Sequence, residues 1–169
     1  MSSNRKANTF LKECMSDALI KLMETKEFSK ITIHEIAEAA GVNRSTWFRN
    51  FPDKETALTF KLVQLWSRWT REHGIHGHSK YTVENAHDFL CYCYHNRQLL
   101  SLIIESNQHT AIYEAFYQIM KPQFDNNATE CYQSRFYSYG LFGLLGEWNR
   151  RNYQATPEEM TAIFFDFIQ

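Results

Sequence analysis

Apolar residues recur at spacings of three and four along almost the whole chain, and no segment sustains a two-residue alternation. The first spacing places apolar side chains on one face of an α-helix, whereas a half-buried strand would need the second. Only three prolines and six glycines interrupt the 169 residues. The pattern therefore predicts an all-α fold.

Capping patterns and chain breaks divide the sequence into about nine predicted helices. Thr32 and Glu35 have the spacing of a capping box, and Thr156 and Glu159 repeat it with a proline at the first helical position. Residues 73–80, with two glycines and three histidines, are predicted to form a loop between a front module and a rear bundle. The predicted helices span residues 7–26, 33–40, 44–50, 54–73, 83–95, 97–106, 109–122, 127–153 and 157–168.

The composition, 44% apolar and 22% charged, is typical of one globular domain or of one core with a small module attached. The formal net charge is -1, so any nucleic-acid binding must come from a local patch. No apolar run approaches the ~20 residues of a membrane span, and the four cysteines include no CxxC pair. We expect a cytoplasmic protein with reduced thiols and no membrane partner.

Residues 32–51 are predicted to form two short helices around a tight turn. Gly41 stands where the chain must turn sharply, and Asn43 can cap the second helix through its side-chain oxygen. Trp47 and Phe51 lie four residues apart, on a face that can pack inward. The side chains left largely outside are those of Arg44, Ser45, Thr46, Phe48, Arg49 and Asn50.

A polar, cationic outer face on a short helix is typical of helix-turn-helix DNA recognition, in which the second helix enters the major groove. Arg44 and Arg49 can each offer guanine two donors, while Lys54 begins the next helix, where its ammonium suits a phosphate. Ser45, Thr46 and Asn50 are short enough to contact bases or phosphates. The alternative is an ordinary helical hairpin with a solvated face. Charge does not decide between them, because residues 1–60 hold nine Lys plus Arg against eight Asp plus Glu.

Residues 7–60 resemble the tetracycline-repressor (TetR) family of bacterial regulators. The resemblance implies phosphate contacts at Thr32, Thr46, Phe48 and Lys54, and base contacts at His34, Arg44, Ser45 and Arg49. The family usually has tyrosine at the position of Phe48, which lacks the hydroxyl for a phosphate bond, and Trp47 is bulkier than the usual residue. The matching run is Ile31-Thr32-Ile33-x-Glu35-Ile36-Ala37-x-Ala39-Ala40-Gly41-Val42-x-x-Ser45-Thr46-x-Phe48-x-x-Phe51-x-Asp53-Lys54-Glu55-x-x-Leu58.

The same resemblance implies that the middle helices enclose a cavity for a small apolar or aromatic effector. Binding there can change DNA affinity only if the effector prefers one of two states of the protein. The alternative is that the aromatic stripes are simply core. The residues expected at the cavity are Trp66, Phe89, Tyr92, Tyr113, Phe116 and Trp148.

Three glycines at spacing three, Gly140, Gly143 and Gly146, lie inside the predicted helix 127–153. Each costs roughly 1 kcal/mol in a helix interior, so close approach by another helix is expected to compensate. In TetR relatives the last two helices pair with their copies, which implies a dimer interface at these glycines and at Phe164 and Phe167. The alternative is packing within one chain.

Nothing in the sequence predicts catalysis. His34-Glu35-Ile36-Ala37-Glu38 begins like a zinc-protease motif but lacks the second histidine, and no phosphate-binding loop appears. His87, Cys91 and His95 share a helical face, yet a fourth metal ligand is not identifiable. We expect no enzyme activity, no metal and no cofactor.

Together these observations predict a helix-turn-helix DNA-binding domain over residues 1–53 and a helical effector-binding and dimerisation domain over residues 54–169. We expect a transcriptional repressor that binds double-stranded DNA at a pseudo-palindromic operator as a homodimer. Its partners would be DNA, a second copy of itself and a small-molecule effector. The alternative is a ligand- or protein-binding regulatory module, or a co-activator, with a weakened DNA head.

Overall fold

The computed structural model describes residues 3–75, 83–121 and 128–167. These ranges contain nine α-helices and no strand, so the predicted all-α fold is confirmed. Contacts divide the chain into two compact units, Met1–Gln64 and Leu65–Gln169, here called the N-terminal and C-terminal units. The division falls inside a helix, and the predicted domain boundary after residue 53 stays a prediction. None of the described helices is long and apolar enough to cross a bilayer.

The N-terminal unit contains α1 (Ser3–Met23), a 3-10 turn (Phe28–Lys30), α2 (Ile33–Ala39), α3 (Arg44–Asn50) and the first part of α4 (Lys54–Glu72). Its core is a continuous set of buried apolar side chains contributed by every one of these elements. They include Met15, Leu19, Phe28, Ile36, Ala37, Trp47, Phe51, Leu58 and Leu62.

Both ends of α2 are fixed by the residues that predicted them. The Thr32 hydroxyl accepts from the Glu35 backbone N–H, and the Glu35 carboxylate accepts from the Thr32 N–H, which confirms the capping box. At the other end Gly41 has a φ of +66°. The Val42 N–H then bonds the Ala37 carbonyl at 2.9 Å, closing a Schellman motif that sets the angle to α3.

The C-terminal unit contains the rest of α4, then α5 (Val83–His95), α6 (Arg97–Glu105), α7 (His109–Met120), α8 (Ala128–Arg150) and α9 (Pro157–Asp166). In this unit α7 packs on α8, and α5 packs on α9. A cluster of aromatic rings lies in this unit: Trp66 and Phe116 stack with centroids 4.1 Å apart, and Phe89 contacts both edge-on.

Most of the predicted helix bounds agree with the structure within two residues, but both ends of α1 and the end of α8 differ by more. α1 begins at Ser3 and ends at Met23, and the chain turns over residues 24–26 with no proline or glycine to mark the end. α8 ends at Arg150 because Asn152 and Tyr153 adopt positive φ. The rest of the predicted loop, residues 76–80, and the predicted helical residues 122, 127 and 168 lie outside the described residues.

Candidate nucleic-acid interface

Trp47 and Phe51 attach α3 to its unit. Both side chains are buried, with the Trp47 side chain 0% exposed, and their ring centroids lie 5.3 Å apart. The Phe60 ring of α4 packs against the Phe51 ring, with their centroids 5.6 Å apart. Because these contacts occupy one face of α3, its other face is left outward.

The residues predicted to contact DNA are on that outward face and on the start of α2. Arg44, Ser45, Phe48 and Arg49 are exposed, and Thr46 and Asn50 are half-buried. Thr32 and His34 of α2 are exposed as well. The structure therefore brings the predicted set together on one unit, while its contact with DNA stays a prediction.

Asn43 organises the first turn of α3. Its side-chain oxygen accepts from the Thr46 backbone N–H at 3.0 Å, which is the predicted N-cap. The same oxygen accepts from the Ser45 and Thr46 hydroxyls at 2.7 and 2.8 Å. Since both hydroxyl hydrogens are used here, the Ser45 and Thr46 oxygens can act only as acceptors toward DNA, and the Thr46 oxygen already accepts from Arg49 Nη2.

The two arginines of α3 are held differently. The Arg49 Nε donates to the Ser45 carbonyl at 3.2 Å and its Nη2 to the Thr46 hydroxyl at 3.2 Å, so this side chain lies back along its own helix. The Arg44 guanidinium lies 5.9 Å from the centroid of the Phe48 ring. The Arg44 side chain thus lies beside the Phe48 ring. The Arg49 side chain must first break its hydrogen bonds to Ser45 and Thr46 before it can extend away from the helix.

Asn50 is tied to α1, and the sequence analysis missed this. Its side-chain oxygen accepts from the Asn8 amide at 2.8 Å, and its own amide donates to the Thr46 carbonyl at 2.7 Å. The predicted base or phosphate contact competes with these bonds. A separation of 42 residues gives no sequence signal for the pair.

The Lys54 ammonium is bonded within the chain. Its Nζ donates to the Phe28 carbonyl at 2.6 Å and to the Ile31 carbonyl at 2.9 Å, and lies 4.4 Å from the Phe28 ring centroid. Burial is the main cause that lowers the pKa of this ammonium. An ammonium has three N–H groups, so one remains for the predicted phosphate.

Glu35 links the α2 cap to the segment after α1. The Lys26 ammonium lies 2.6 Å from its carboxylate, and the Thr32 hydroxyl donates to it at 2.8 Å. The hydrogen bond from Lys26, followed by those from Thr32, lowers the pKa of Glu35 from 4.5 to about 2. The carboxylate holds the Thr32 hydroxyl hydrogen, which leaves that oxygen as an acceptor.

A small cavity lies within the C-terminal unit, with a volume of about 70 Å³. Three of the six expected residues line it: Trp66, Phe89 and Phe116. Trp69, which is not among the six residues expected at the cavity, lines it as well. The full lining is Trp66, Trp69, Thr70, Ile75, Asn85, Ala86, Phe89, Leu90, Phe116, Ile119, Met120, Tyr137, Leu141 and Phe164.

The other three expected cavity residues lie elsewhere in the unit. Tyr92 donates its hydroxyl to the Leu65 carbonyl at 3.2 Å. The Tyr113 ring stacks on the Tyr139 ring with centroids 3.9 Å apart, and the Tyr113 hydroxyl accepts a hydrogen bond from Arg135. Trp148 packs on the Tyr94 and Tyr153 rings. These three residues do not line this cavity, and their expected part in effector binding stays a prediction.

An open groove of about 750 Å³ runs between α8 and α9. Gly140, Gly143, Phe164 and Phe167 line it, as do the exposed Phe136 and Tyr139. A Cβ built at any of the three predicted interface glycines, including Gly146, has no neighbouring atom within 4 Å. No described helix of the chain therefore makes the expected close approach, and the interface at these glycines stays a prediction.

His87 and Cys91 come together on α5, with Sγ 3.7 Å from Nε2, and His87 reaches Glu158 of α9 at 3.4 Å. Burial, followed by the nearby Glu158 and Asp88 carboxylates, raises the pKa of the Cys91 thiol. Among the described residues no group of three or more ligating side chains could hold a metal.

Two family models match the chain. One, described as a transcriptional regulator C-terminal region, covers residues 83–169, and the other, bacterial regulatory proteins of the tetR family, covers residues 16–57. The HTH-type transcriptional regulator EthR of Mycolicibacterium smegmatis is 42% identical over 48 residues, which are 28% of this chain. The match spans only 22% of the length of EthR.

Two crystal structures of NalD, the secondary repressor of the MexAB-OprM multidrug efflux pump in Pseudomonas aeruginosa, share the fold. Their TM-scores are 0.51 and 0.52 at 16% identity. They cover 92% and 98% of this chain, and 93% and 94% of the NalD chain.

Proposed function

The chain belongs to the tetR family of DNA-binding transcriptional regulators, and from this premise we propose that it represses transcription by binding a pseudo-palindromic operator as a homodimer. It acts in the bacterial cytoplasm, carries no catalytic site or cofactor, and releases DNA when a small apolar or aromatic effector binds. Two copies of α3 enter successive major grooves about 34–36 Å apart.

One observation carries the DNA-binding proposal: a short helix leaves four exposed and two half-buried predicted contact residues around the sides that two buried aromatic rings do not cover. A buried anchor beneath a polar surface holds the helix rigid enough to read base edges. The N-terminus of α3 carries Arg44 and the Ser45 and Thr46 hydroxyls, and in helix-turn-helix proteins the first residues of the recognition helix contact bases.

The test is selection of binding sites from random duplex DNA, followed by anisotropy titration of the winning sequence at two salt concentrations. An enriched palindrome is expected, with a slope of log K against log salt of about -4 to -5 for four to six phosphate contacts. Arg44→Ala is expected to weaken binding by about 1–3 kcal/mol and relax the preference at one base pair. Arg71→Ala, which removes the same charge from an exposed position on α4, serves as the matched control.

Equal binding by Arg44→Ala and wild type would remove Arg44 from the interface. Absence of any enriched site from folded dimer would favour the alternative function, a ligand- or protein-binding regulator with a weakened DNA head. That alternative draws on Phe48, which lacks the hydroxyl for a phosphate bond.

The homodimer is supported by the α8–α9 groove and its exposed apolar rim. Phe136 is 65% exposed and Phe167 is 76% exposed, and apolar side chains this close together on a surface usually mark an interaction site. A second copy of the same surface would cover the rim, and the open space over Gly140 and Gly143 lets two helices approach closely.

The dimer is tested with Phe136→Glu by sedimentation equilibrium. The added charge would have to be buried in the interface, so the variant is expected to be a folded monomer. Phe10→Glu is the matched control, because Phe10 is 64% exposed but belongs to α1 of the N-terminal unit and does not line the groove. A dimeric Phe136→Glu would place the interface on another surface.

The effector proposal is supported by the aromatic cavity. A cavity of about 150 Å³ holds benzene, and this one has about 70 Å³, so an aromatic effector must enlarge it. The effector then binds the enlarged state better than the present one, which is the unequal affinity that a switch requires.

Indole is a suitable probe for this cavity. It should raise the thermal stability of the wild type by linkage, and Ala86→Leu, which fills the space, should abolish that rise. Equal rises in both proteins would place indole outside the cavity.

A further inference from the structure

Phe48 is an apolar side chain on a face made of polar ones. It is 56% exposed, whereas its neighbour Trp47 is 0% exposed. The described part of the N-terminal unit therefore does not use the Phe48 ring for its core. Because phenylalanine has no hydroxyl, the ring also cannot make the phosphate bond that the family resemblance implies at this position.

The ring lies beside the arginine that we propose as a base reader. The Arg44 guanidinium is 5.9 Å from the centroid of the Phe48 ring, so the two side chains share the exposed face of α3. Four residues span about 6 Å along a helix axis, and base pairs follow one another at about 3.4 Å. A helix lying along the groove would place the two side chains within about two base pairs of each other.

The major-groove edges of the base pairs offer one apolar group, the C5-methyl group of thymine; the other positions are hydrogen-bond donors and acceptors. We propose that Phe48 recognises the methyl group of a thymine within about two base pairs of the guanine contacted by Arg44. This inference rests on the proposed DNA-binding function and assigns Phe48 to a base rather than to the phosphate backbone. The apolar contact buries the exposed ring and the methyl group together.

The experiment replaces each thymine of the selected operator half-site by deoxyuridine, one at a time, and measures the affinity of the full-length protein. Deoxyuridine keeps both hydrogen-bonding edges and removes only the methyl group. One thymine near the guanine read by Arg44 is expected to give about three- to fivefold weaker binding, the factor that corresponds to one buried methyl group. Uracil at the other thymines should change affinity by less than that.

The same scan with Phe48→Ala and Phe48→Tyr assigns the methyl effect to the ring. Phe48→Ala should bind thymine and uracil operators equally, because the ring that contacts the methyl group is gone. Phe48→Tyr keeps the ring and should keep the methyl effect. Since Phe48 is exposed, both variants should fold, which thermal unfolding checks.

The outcomes separate this inference from the function beneath it. If no operator is selected, the DNA-binding function fails. If an operator is bound with the expected salt dependence but no uracil weakens wild-type binding, the methyl contact is wrong and the DNA-binding function stands. A methyl effect of equal size in the wild type and in Phe48→Ala would assign the contact to another residue.

Discussion

The N-terminal and C-terminal units use glycine for opposite reasons. Gly41 ends α2 with a positive φ that the turn to α3 requires, so its reason lies within the chain. Gly140, Gly143 and Gly146 lie in α8, where a Cβ would meet no atom of the described chain within 4 Å. The comparison teaches that backbone conformation explains Gly41, whereas no described neighbour explains the three glycines of α8, which is why we propose that they contact a second copy.

The two units also differ in how their sites are built. The candidate DNA-contacting residues of α3 are consecutive along the chain, and one buried face holds them in place. The cavity instead collects residues from α4, α5, α7, α8 and α9 and from Ile75. The first kind of site depends on which side chains occupy a short segment, and the second depends on how separate helices pack.

The largest effect in this comparison is expected at the anchor of α3. Trp47→Ala removes a fully buried indole and should lower the free energy of unfolding by about 3–5 kcal/mol. Phe48→Ala, one residue on, changes an exposed ring and should stay within about 0.5 kcal/mol. Denaturant unfolding measures both, and similar losses would show that Phe48 supports the core.

A smaller loss is expected at Gly41. Gly41→Ala places a Cβ on a residue with a φ of +66°, which should lower the free energy of unfolding by about 1–2 kcal/mol through backbone strain. No steric clash adds to this cost, because the new Cβ would have no described atom within 4 Å. DNA affinity should fall as well, because the turn sets the angle of α3. An unchanged melting temperature would contradict the requirement for glycine.

The matched change in the C-terminal unit should act in the opposite direction. Gly143→Ala puts a better helix former into a helix interior with open space beside it, so the monomer should gain about 1 kcal/mol. The dimer should weaken, because the added methyl group separates the two copies of α8. Unfolding at low concentration and sedimentation at high concentration distinguish these effects. A destabilised monomer would show that the glycine has a role within the chain.

The smallest effect concerns one carboxylate in each unit. Hydrogen bonds, from Lys26 and Thr32 to Glu35 and from Arg150 and Arg151 to Glu147, lower both pKa values from 4.5 to about 2. Each carboxylate therefore stabilises the fold fully above about pH 4.5, and this contribution is lost as pH falls towards about 2. Glu35→Gln should cost more than Glu147→Gln, because Glu35 joins two separate segments whereas Glu147 bonds only its own helix end.

Both glutamine variants keep the volume of the side chain, and Glu35→Gln also keeps a side-chain oxygen that can accept the capping-box hydrogen bond from the Thr32 backbone N–H. Their melting temperatures should differ from wild type at pH 6 and converge with it as the solution is acidified towards pH 2. A difference that persists at low pH would mean that packing, not charge, is responsible.

The sequence predicted those features that depend on neighbouring residues. The capping boxes at Thr32 and Thr156, the turn at Gly41 and the inward pair Trp47 and Phe51 all follow from local spacing, and the structure contains each of them. The sequence predicted the family and the fold class for the same reason, since the helix-turn-helix pattern is contiguous.

Features that join distant residues could not be predicted from one sequence. The Lys54 ammonium donates to backbone carbonyls 23 and 26 residues earlier in the chain. The Asn8 amide donates to the side chain of Asn50, 42 residues later. In the C-terminal unit, helical spacing shows that Tyr113 and Trp148 face inward but not whether the space beside them is filled. Packing between helices decides that, and it left the cavity beside Trp66 and Trp69 instead.

The distribution of the four tryptophans gives each unit its own optical signal. Trp47 is the one tryptophan before residue 65, and all four indoles are buried. With Trp66, Trp69 and Trp148 changed to phenylalanine, the fluorescence of Trp47 would shift to the red when the N-terminal unit unfolds. In a Trp47→Phe protein the emission comes from the C-terminal unit, where Trp66 and Trp69 border the cavity and would respond to quenching by an occupant. Intrinsic fluorescence can therefore follow the N-terminal and C-terminal units separately, without an attached dye.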